Sequence, residues 1–576
     1  MLTLLTIFLL LFIPVAMLIL HIARPKFSIQ GFLAVLAVLV GWLMVLFARS
    51  DTPQVIALLS WQPAVYFPNS PSLLIDDISW YFSIALMSLA LISVVTSISQ
   101  LGQSLKPEPD KTNNRIEVNE VQDQTEVETA INKHAPIEEI KTSSNWQSWA
   151  GILVLTSLGL VAVTAGNVLT LLIAWAGLDL IELAILLAQS LQSKSRVRMI
   201  LAFSARMAGI GMVLLACIIP WSQGASLDIN DIGQTASIYL ILAAGLRLGV
   251  IPLRLPFIHQ LPQRRELGTI LHLVPSAASF ILLVRVSNTG IFSTASPFLL
   301  VLTAIAGLFA GIQWVTAKDE LTGQPYWVIG TSSLAIASAI LSQPYACIAW
   351  SIASLLSGGL LFSMSIRHKN LLPIVVLGFM GFSTLPFSPT WLGTELYLYS
   401  ETVSSPISPA LFILLSFMFL LIQSLFLAGF FRFILRCVSP LEKQITVHVE
   451  PWVWFLYPIG LIVIIVTHYL IGIMLYPPLV EIPLTGWIMG IIAVILSGSI
   501  LYMPTRYFKG FSRSNQSVIT SAITKLLSLE WLYSFLWRLF SALSRFTAII
   551  STVLEGDGGI LWAFVLFALI FVFLLR

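Results

Sequence analysis

Sixteen apolar stretches of membrane-spanning length run through this chain, at about 2–21, 29–48, 77–100, 148–166, 168–190, 199–220, 235–258, 267–287, 296–316, 325–342, 345–366, 371–393, 408–435, 451–475, 485–503 and 557–575. A helix needs about 20 apolar residues to cross a bilayer. Hydrocarbon offers the backbone no partner, so such runs fold as helices that close their own amide bonds. Hydrophobic residues make up 57% of the chain and charged residues 10%, with a mean hydropathy of +0.92; a soluble chain carries about 25% charge. The chain reads as an all-α polytopic membrane protein. Its net charge of +3 is too small to suggest nucleic acid. Cys217, Cys347 and Cys437 are far apart, with no C-x-x-C spacing for zinc or an iron–sulfur cluster, and no Gly-Lys pair exists for a Walker-type phosphate loop. Met1 to Leu20 lacks a basic leader and a cleavage site and reads as a retained span.

Positive charge falls on alternate loops. Arg24 and Lys26 follow the first span, Lys194, Arg196 and Arg198 the fifth, Arg264 and Arg265 the seventh, and Lys318 the ninth. Arg367 and Lys369 follow the eleventh, Arg436 and Lys443 the thirteenth, and Arg506, Lys509 and Arg513 the fifteenth. The opposite loops carry Asp228, Asp231, Glu401 and Glu481. A Lys/Arg excess marks the cytoplasmic side, so both termini are expected outside. Spans one to three occupy 1–100. Residues 101–147 are polar and poor in aromatics and read as a disordered cytoplasmic insert. Two five-span sets follow, 148–287 and 296–436, then spans fourteen and fifteen in 451–503. Residues 516–554 place Leu532, Leu536, Leu539, Leu543, Phe546, Ile550 and Val553 at helical spacing, with Arg538 and Arg545 opposite. That pattern predicts an amphipathic helix lying along the membrane surface, before a terminal span in 557–576.

The fourth span of each five-span set contains internal prolines, around Pro252 and Pro386. Pro-interrupted helices at matching positions point to inverted repeats with a site near the bilayer midplane. Every lysine of the chain lies in a loop or on a polar helix face. Arginine, histidine and carboxylates do lie within spans, where a charge is costly enough to be a functional candidate.

Several motifs resemble the antiporter-like subunits of complex I and of multisubunit cation/proton antiporters. Asn167 to Trp175 is similar to that family's fifth helix, where the tryptophan is followed by glutamate. Arg247-Leu-Gly-Val-Ile-Pro252 resembles its broken seventh helix, normally Lys-x-x-x-x-Pro, and His259, Leu261 and Pro262 follow where the family has a Trp-Leu-Pro turn. The run from Ile270-Leu271-His272 to Arg285 resembles the eighth helix. Leu385-Pro386 to Gly393 resembles the broken twelfth, whose next residue is normally lysine. Asp76 and Ser79 match an Asp-x-x-Ser start to the third span. The resemblance spans essentially the whole chain at a low level. Sixteen spans with a lateral helix suggest the largest subunit, chain 5 of NADH:quinone oxidoreductase.

The departures fall on the charged positions. Ala176 replaces the family's glutamate, Arg247 its seventh-helix lysine and Thr394 its twelfth-helix lysine. Lysine releases a proton readily when buried, whereas arginine holds its proton, with a pKa above about 12. Asp179 and Glu182 stand beyond Ala176, and Asp179 is placed to face where the lost carboxylate did. Asp179 with Arg247 reads either as a buried structural ion pair or as part of a proton path that includes Glu182. His272 reads as a relay or as a hydrogen-bonded helix-start histidine. Glu395 reads as a path member or as a loop-end carboxylate. Arg206 and Arg285 read as anchors near the membrane surface.

The resemblance implies a membrane subunit of a complex I-type NAD(P)H- or ferredoxin:quinone oxidoreductase, with an altered or weakened proton path. It implies no cofactor or metal in this chain, other membrane subunits as partners, and protons or monovalent cations as cargo. The expected location is a prokaryotic plasma membrane or a thylakoid. Two alternatives stay open: the large subunit of a cation/proton antiporter or of an ion-coupled inorganic-carbon uptake complex, and a non-conducting structural subunit.

Overall fold

A computed structural model describes residues 1–23, 27–58, 70–101, 103–105, 146–189, 193–222, 233–251, 253, 264–289, 294–366, 368–398, 407–438, 447–449, 451–475, 484–507, 538, 541–542, 544–545, 563–565 and 567. The polar insert from 106 to 145, Pro252, the His259–Pro262 turn, most of 516–554 and most of the terminal span lie outside the described residues. Residues 1–508 form one compact unit and 509–576 a second. In the second unit, Arg538 and Arg545 are helical and exposed.

Among its described residues the first unit has fifteen α-helices. Helices α1 (Leu2–Ile22), α2 (Phe27–Phe47) and α3 (Asp77–Leu101) come first. The first set of five is α4 (Trp146–Val163), α5 (Val168–Gln189), α6 (Ser193–Ser222), α7 (Gln234–Leu248) and α8 (Arg265–Thr289). The second is α9 (Ser296–Thr316), α10 (Glu320–Ile340), α11 (Pro344–Ser363), α12 (Leu372–Phe382) and α13 (Pro409–Val438). Helices α14 (Pro451–Leu475) and α15 (Leu484–Tyr507) complete the unit. Among the described residues, 11 helices are long and apolar enough to cross a membrane, and shorter apolar helices occur at Ala202–Ile218, Ala236–Leu248 and Leu372–Phe382. The fold is all-α and membrane-spanning.

Local sequence explains the helix ends. Asn167 caps α5, its Oδ1 accepting from the backbone N–H and the hydroxyl of Thr170 at 2.9 and 2.8 Å. Asp319 and Thr322 form a reciprocal capping box at the start of α10. Short strands brace the loops. Strand β1 (Gln54–Ala57) pairs antiparallel with β2 (Ser72–Ile75), and β3 (Gln103–Leu105) pairs with β4 (Val447–Val449). Strand β3 and the start of α4 at Trp146 trim both edges of the expected insert.

Helices α3, α8 and α11 form the centre: 94%, 100% and 100% of their apolar windows are buried, against 33% for α1 and 22% for α15. These central helices are rich in Ser and Thr. Many of their buried hydroxyls bond carbonyls of their own helix, as Ser83 does to Ser79 and Ser276 to His272, which lets polar residues sit in the interior.

Candidate functional site: two helix breaks

Both fourth helices stop short of their prolines. Helix α7 ends at Leu248, where Gly249 takes the left-handed conformation with φ 74°. The N–H groups of Val250 and Gly249 bond back to the carbonyls of Gly245 and Leu246 at 2.9 and 3.4 Å, a Schellman end. Helix α12 ends at Phe382, and the chain resumes as a 3₁₀ helix at Trp391–Tyr397. At 15 and 11 residues, neither helix reaches across a bilayer unaided.

The first break carries a closed charge network. Arg247 sits in the last turn of α7, where a cation complements the helix's negative end. Its Nη1 and Nη2 donate to Oδ2 and Oδ1 of Asp179 on α5 at 2.5 and 2.9 Å, a bidentate fork. The guanidinium lies 4.2 Å from the ring centroid of Trp175, one turn earlier on α5. Arg206 of α6 pairs with Glu182 and lies 3.6 Å from Asp179. Space for the Arg247 stem comes from Gly209 of α6, where an added Cβ would fall 2.8 Å from Arg247 Cγ. All four charged residues are buried. Arg206, expected as an anchor, joins this buried network. The sequence signal was its position inside an apolar helix. Two carboxylates and two guanidiniums leave no net charge, and neither guanidinium gives up its proton. A proton landing on Asp179 or Glu182 would leave an arginine uncompensated.

Arg285 is also buried, and both its terminal nitrogens bond Asp76 at the start of α3. Asp76 caps α3 by accepting the N–H of Ser79 at 2.9 Å. Burial pushes the Asp76 carboxyl up, but Arg285 and Ser79 outweigh it and hold the group below its ordinary range. A third cluster went unflagged by sequence reasoning. Glu266 in the first turn of α8 accepts from Ser97 and Gln100 of α3 at 3.0 and 3.2 Å, and Arg265 pairs with Glu320 at 2.9 Å.

The second break is lined by neutral polar groups. Thr394, at the family's lysine position, is buried with its hydroxyl on the carbonyl of Trp391 at 2.8 Å. Gln423 of α13 donates to Thr384 Oγ1 at 2.7 Å and accepts from Tyr397 at 2.6 Å. Thr384 and Phe387 hold positive φ angles of 54° and 64°, which cost about 1–3 kcal/mol each and persist only where packing imposes them. Gly490 of α15 helps: an added Cβ would press on the carbonyl of Thr384.

The structure thus brings Asp179, Glu182 and Arg247 together at the first break. His272 bonds the carbonyl of Gly268 in its own helix through Nδ1 at 2.7 Å. The backbone carbonyl of Glu395 accepts Gln343 Nε2 at 2.9 Å, at the start of α11. Pro386 lies within the unwound stretch of the second break.

No protein-family model and no curated protein matches the sequence. Solved structures do match in fold. A chain of the membrane-bound sulfane sulfur reductase, an archaeal respiratory membrane complex, aligns over 99% of this chain and 99% of its own length, with TM-score 0.63 and 12% identity. A chain of respiratory complex I from Thermus thermophilus aligns over 82% of this chain and 98% of its own, with TM-score 0.55 and 13% identity. A chain of the Mrp complex from Dietzia sp. aligns over 97% of this chain and 63% of its own, with TM-score 0.62 and 12% identity. At these identities the likeness is one of fold: this chain shares the fold of those membrane-complex chains.

Proposed function

We propose that this chain is the chain 5-type antiporter-like membrane subunit of a complex I-type quinone oxidoreductase, with a weakened proton path. The observation that carries the reading is the closed network of Asp179, Glu182, Arg206 and Arg247 at the first helix break. Such a network keeps charge at the position where an ion path needs it, but arginine in place of lysine makes proton release expensive. Redox chemistry in this reading belongs to partner subunits, and the two five-helix sets are inverted repeats. A second reading, a structural subunit that holds a complex together without conduction, draws support from the neutral second break with Thr394.

Purification of the tagged chain in mild detergent tests the assignment. Quinone-reductase arms in the preparation support the proposal, small antiporter subunits turn it toward a cation/proton antiporter, and an isolated chain argues against both. We further infer that both termini lie outside a prokaryotic plasma membrane or thylakoid, with 101–147 in the cytoplasm, because the basic loops alternate. A cysteine introduced at Asn113 should resist an impermeant thiol reagent in intact cells and react after lysis. Labelling before lysis would reverse the orientation.

A further inference from the structure

The second break has lost its lysine, yet an ionisable ring reaches it from outside the five-helix set. His468 lies on the buried face of α14 and is 4% exposed. Helix α14 approaches the break at backbone distance. An added Cβ on Gly381, in the last turn of α12, would fall 3.0 Å from His468 Nδ1, and one on Gly472 would fall 2.6 Å from Pro389 Cα. Both glycines therefore serve to seat the imidazole against the end of the half-helix.

The helices packed on α14 carry almost no charge. On α3, Ser88 shares a hydrogen bond of 2.9 Å with Thr467, the residue before His468, and takes the indole N–H of Trp42 at 2.9 Å. Helix α12 offers Gly381 and the carbonyl of Leu377, which Tyr469 occupies at 3.2 Å. Helix α11 presents Gly359 against Ile464. Helices α11 and α12 contain no Asp, Glu, Lys or Arg, and α3 has only Asp77 in its first turn. The titratable groups on these elements are otherwise Tyr81, Tyr345, Cys347, Tyr457 and Tyr469.

From Gly381 a hydrogen-bonded chain enters the break. The carbonyl of Gly381 accepts Thr390 Oγ1 at 2.9 Å, and Thr390 Oγ1 accepts the N–H of Thr384 at 3.0 Å. Thr384 Oγ1 accepts Gln423 Nε2 at 2.7 Å, and Gln423 Oε1 accepts the Tyr397 hydroxyl at 2.6 Å. Thr394 lies one 3₁₀ turn before Tyr397, on the same face.

We propose that His468 is the proton-carrying group of the second break, acting from α14 in the place left by the missing lysine at 394. The ring takes a proton on one nitrogen and releases the proton of the other across the break; no bond other than N–H forms or breaks, and nothing is oxidised. An imidazole is suited to this because it changes charge near neutral pH, which a guanidinium does not. The inference rests on the reading of the chain as an ion-translocating subunit.

The test uses the native complex in vesicles that trap a pH-sensitive dye, with an imposed pH gradient. His468→Gln should lower proton uptake by about a hundredfold, the usual contribution of a positioned proton-transfer group. The double variant His468→Gln with Thr394→Lys should regain most of it, since lysine returns a titratable group to the same break. Undiminished uptake in His468→Gln overturns the proposal, and so does a well-assembled double variant that stays inactive. If the unaltered complex moves no protons, the wider reading fails first. Infrared difference spectra with labelled histidine then decide the point. A histidine band that titrates between about pH 5 and 8 and vanishes in His468→Gln supports the assignment, and identical spectra for the two proteins overturn it.

Discussion

Asp179→Asn should cripple assembly of this protein, Arg247→Gln should do so less severely, and the double variant should recover much of the loss. The geometry sets the order. Without the Asp179 carboxylate, Arg247 loses the partner of both terminal nitrogens, and its Nε is already a buried donor with no acceptor. Without Arg247, Asp179 still has Arg206 at 3.6 Å. Removing one member of a buried pair costs about 3–5 kcal/mol, because the other charge is left uncompensated. Removing both restores neutrality. The readouts are the yield of assembled complex and its thermal midpoint in detergent. A double variant that regains both assembly and ion-coupled activity marks the pair as structural; regained assembly without activity marks it as part of the path. Two single variants that assemble and work normally would contradict the network altogether. Glu182 and Arg206 are coupled to the same site through the Arg206–Asp179 approach, so variants across the two pairs should not add.

Trp327→Ala should destabilise the second five-helix set by about 3–5 kcal/mol, the range for truncating a fully buried aromatic. Trp327 of α10 is fully buried, with ring centroids 5.2 Å from Trp314, 4.9 Å from Phe382 and 5.7 Å from Phe426. Its indole N–H donates to the carbonyl of Ser354 at 2.9 Å. In a bilayer the lipid is as apolar as the core, so the loss comes from lost packing and the lost indole hydrogen bond. Phe382 is the last residue of α12, so the cavity opens beside the second break. Thermal unfolding in detergent should rank wild type, Trp327→Phe and Trp327→Ala in falling order. Equal midpoints for all three would show that the cluster carries no such load.

Hydropathy and charge alternation determine the most about this chain, because a bilayer leaves a long apolar run only one way to satisfy its backbone. The expected spans from 2–21 to 485–503 each find a helix, with α7 ending at Leu248 and α12 at Phe382. The helix ends are set more locally. Gly249 closes α7 before Pro252 by a left-handed turn, and packing from Gln423 and Gly490 holds Thr384 in the strained opening of the second break. Asp179 and Arg247 could be paired from motif spacing, since helical periodicity fixes which face a residue presents. Arg206, Glu266 and His468 could not be placed in that way. Whether an arginine within an apolar helix reaches the headgroups or turns inward depends on which helix lies beside it. That proximity was decided by close contacts at Gly209, Gly381 and Gly472, where missing side chains let neighbouring helices approach. Periodicity along one helix carries no information about such contacts; only the packed tertiary structure does.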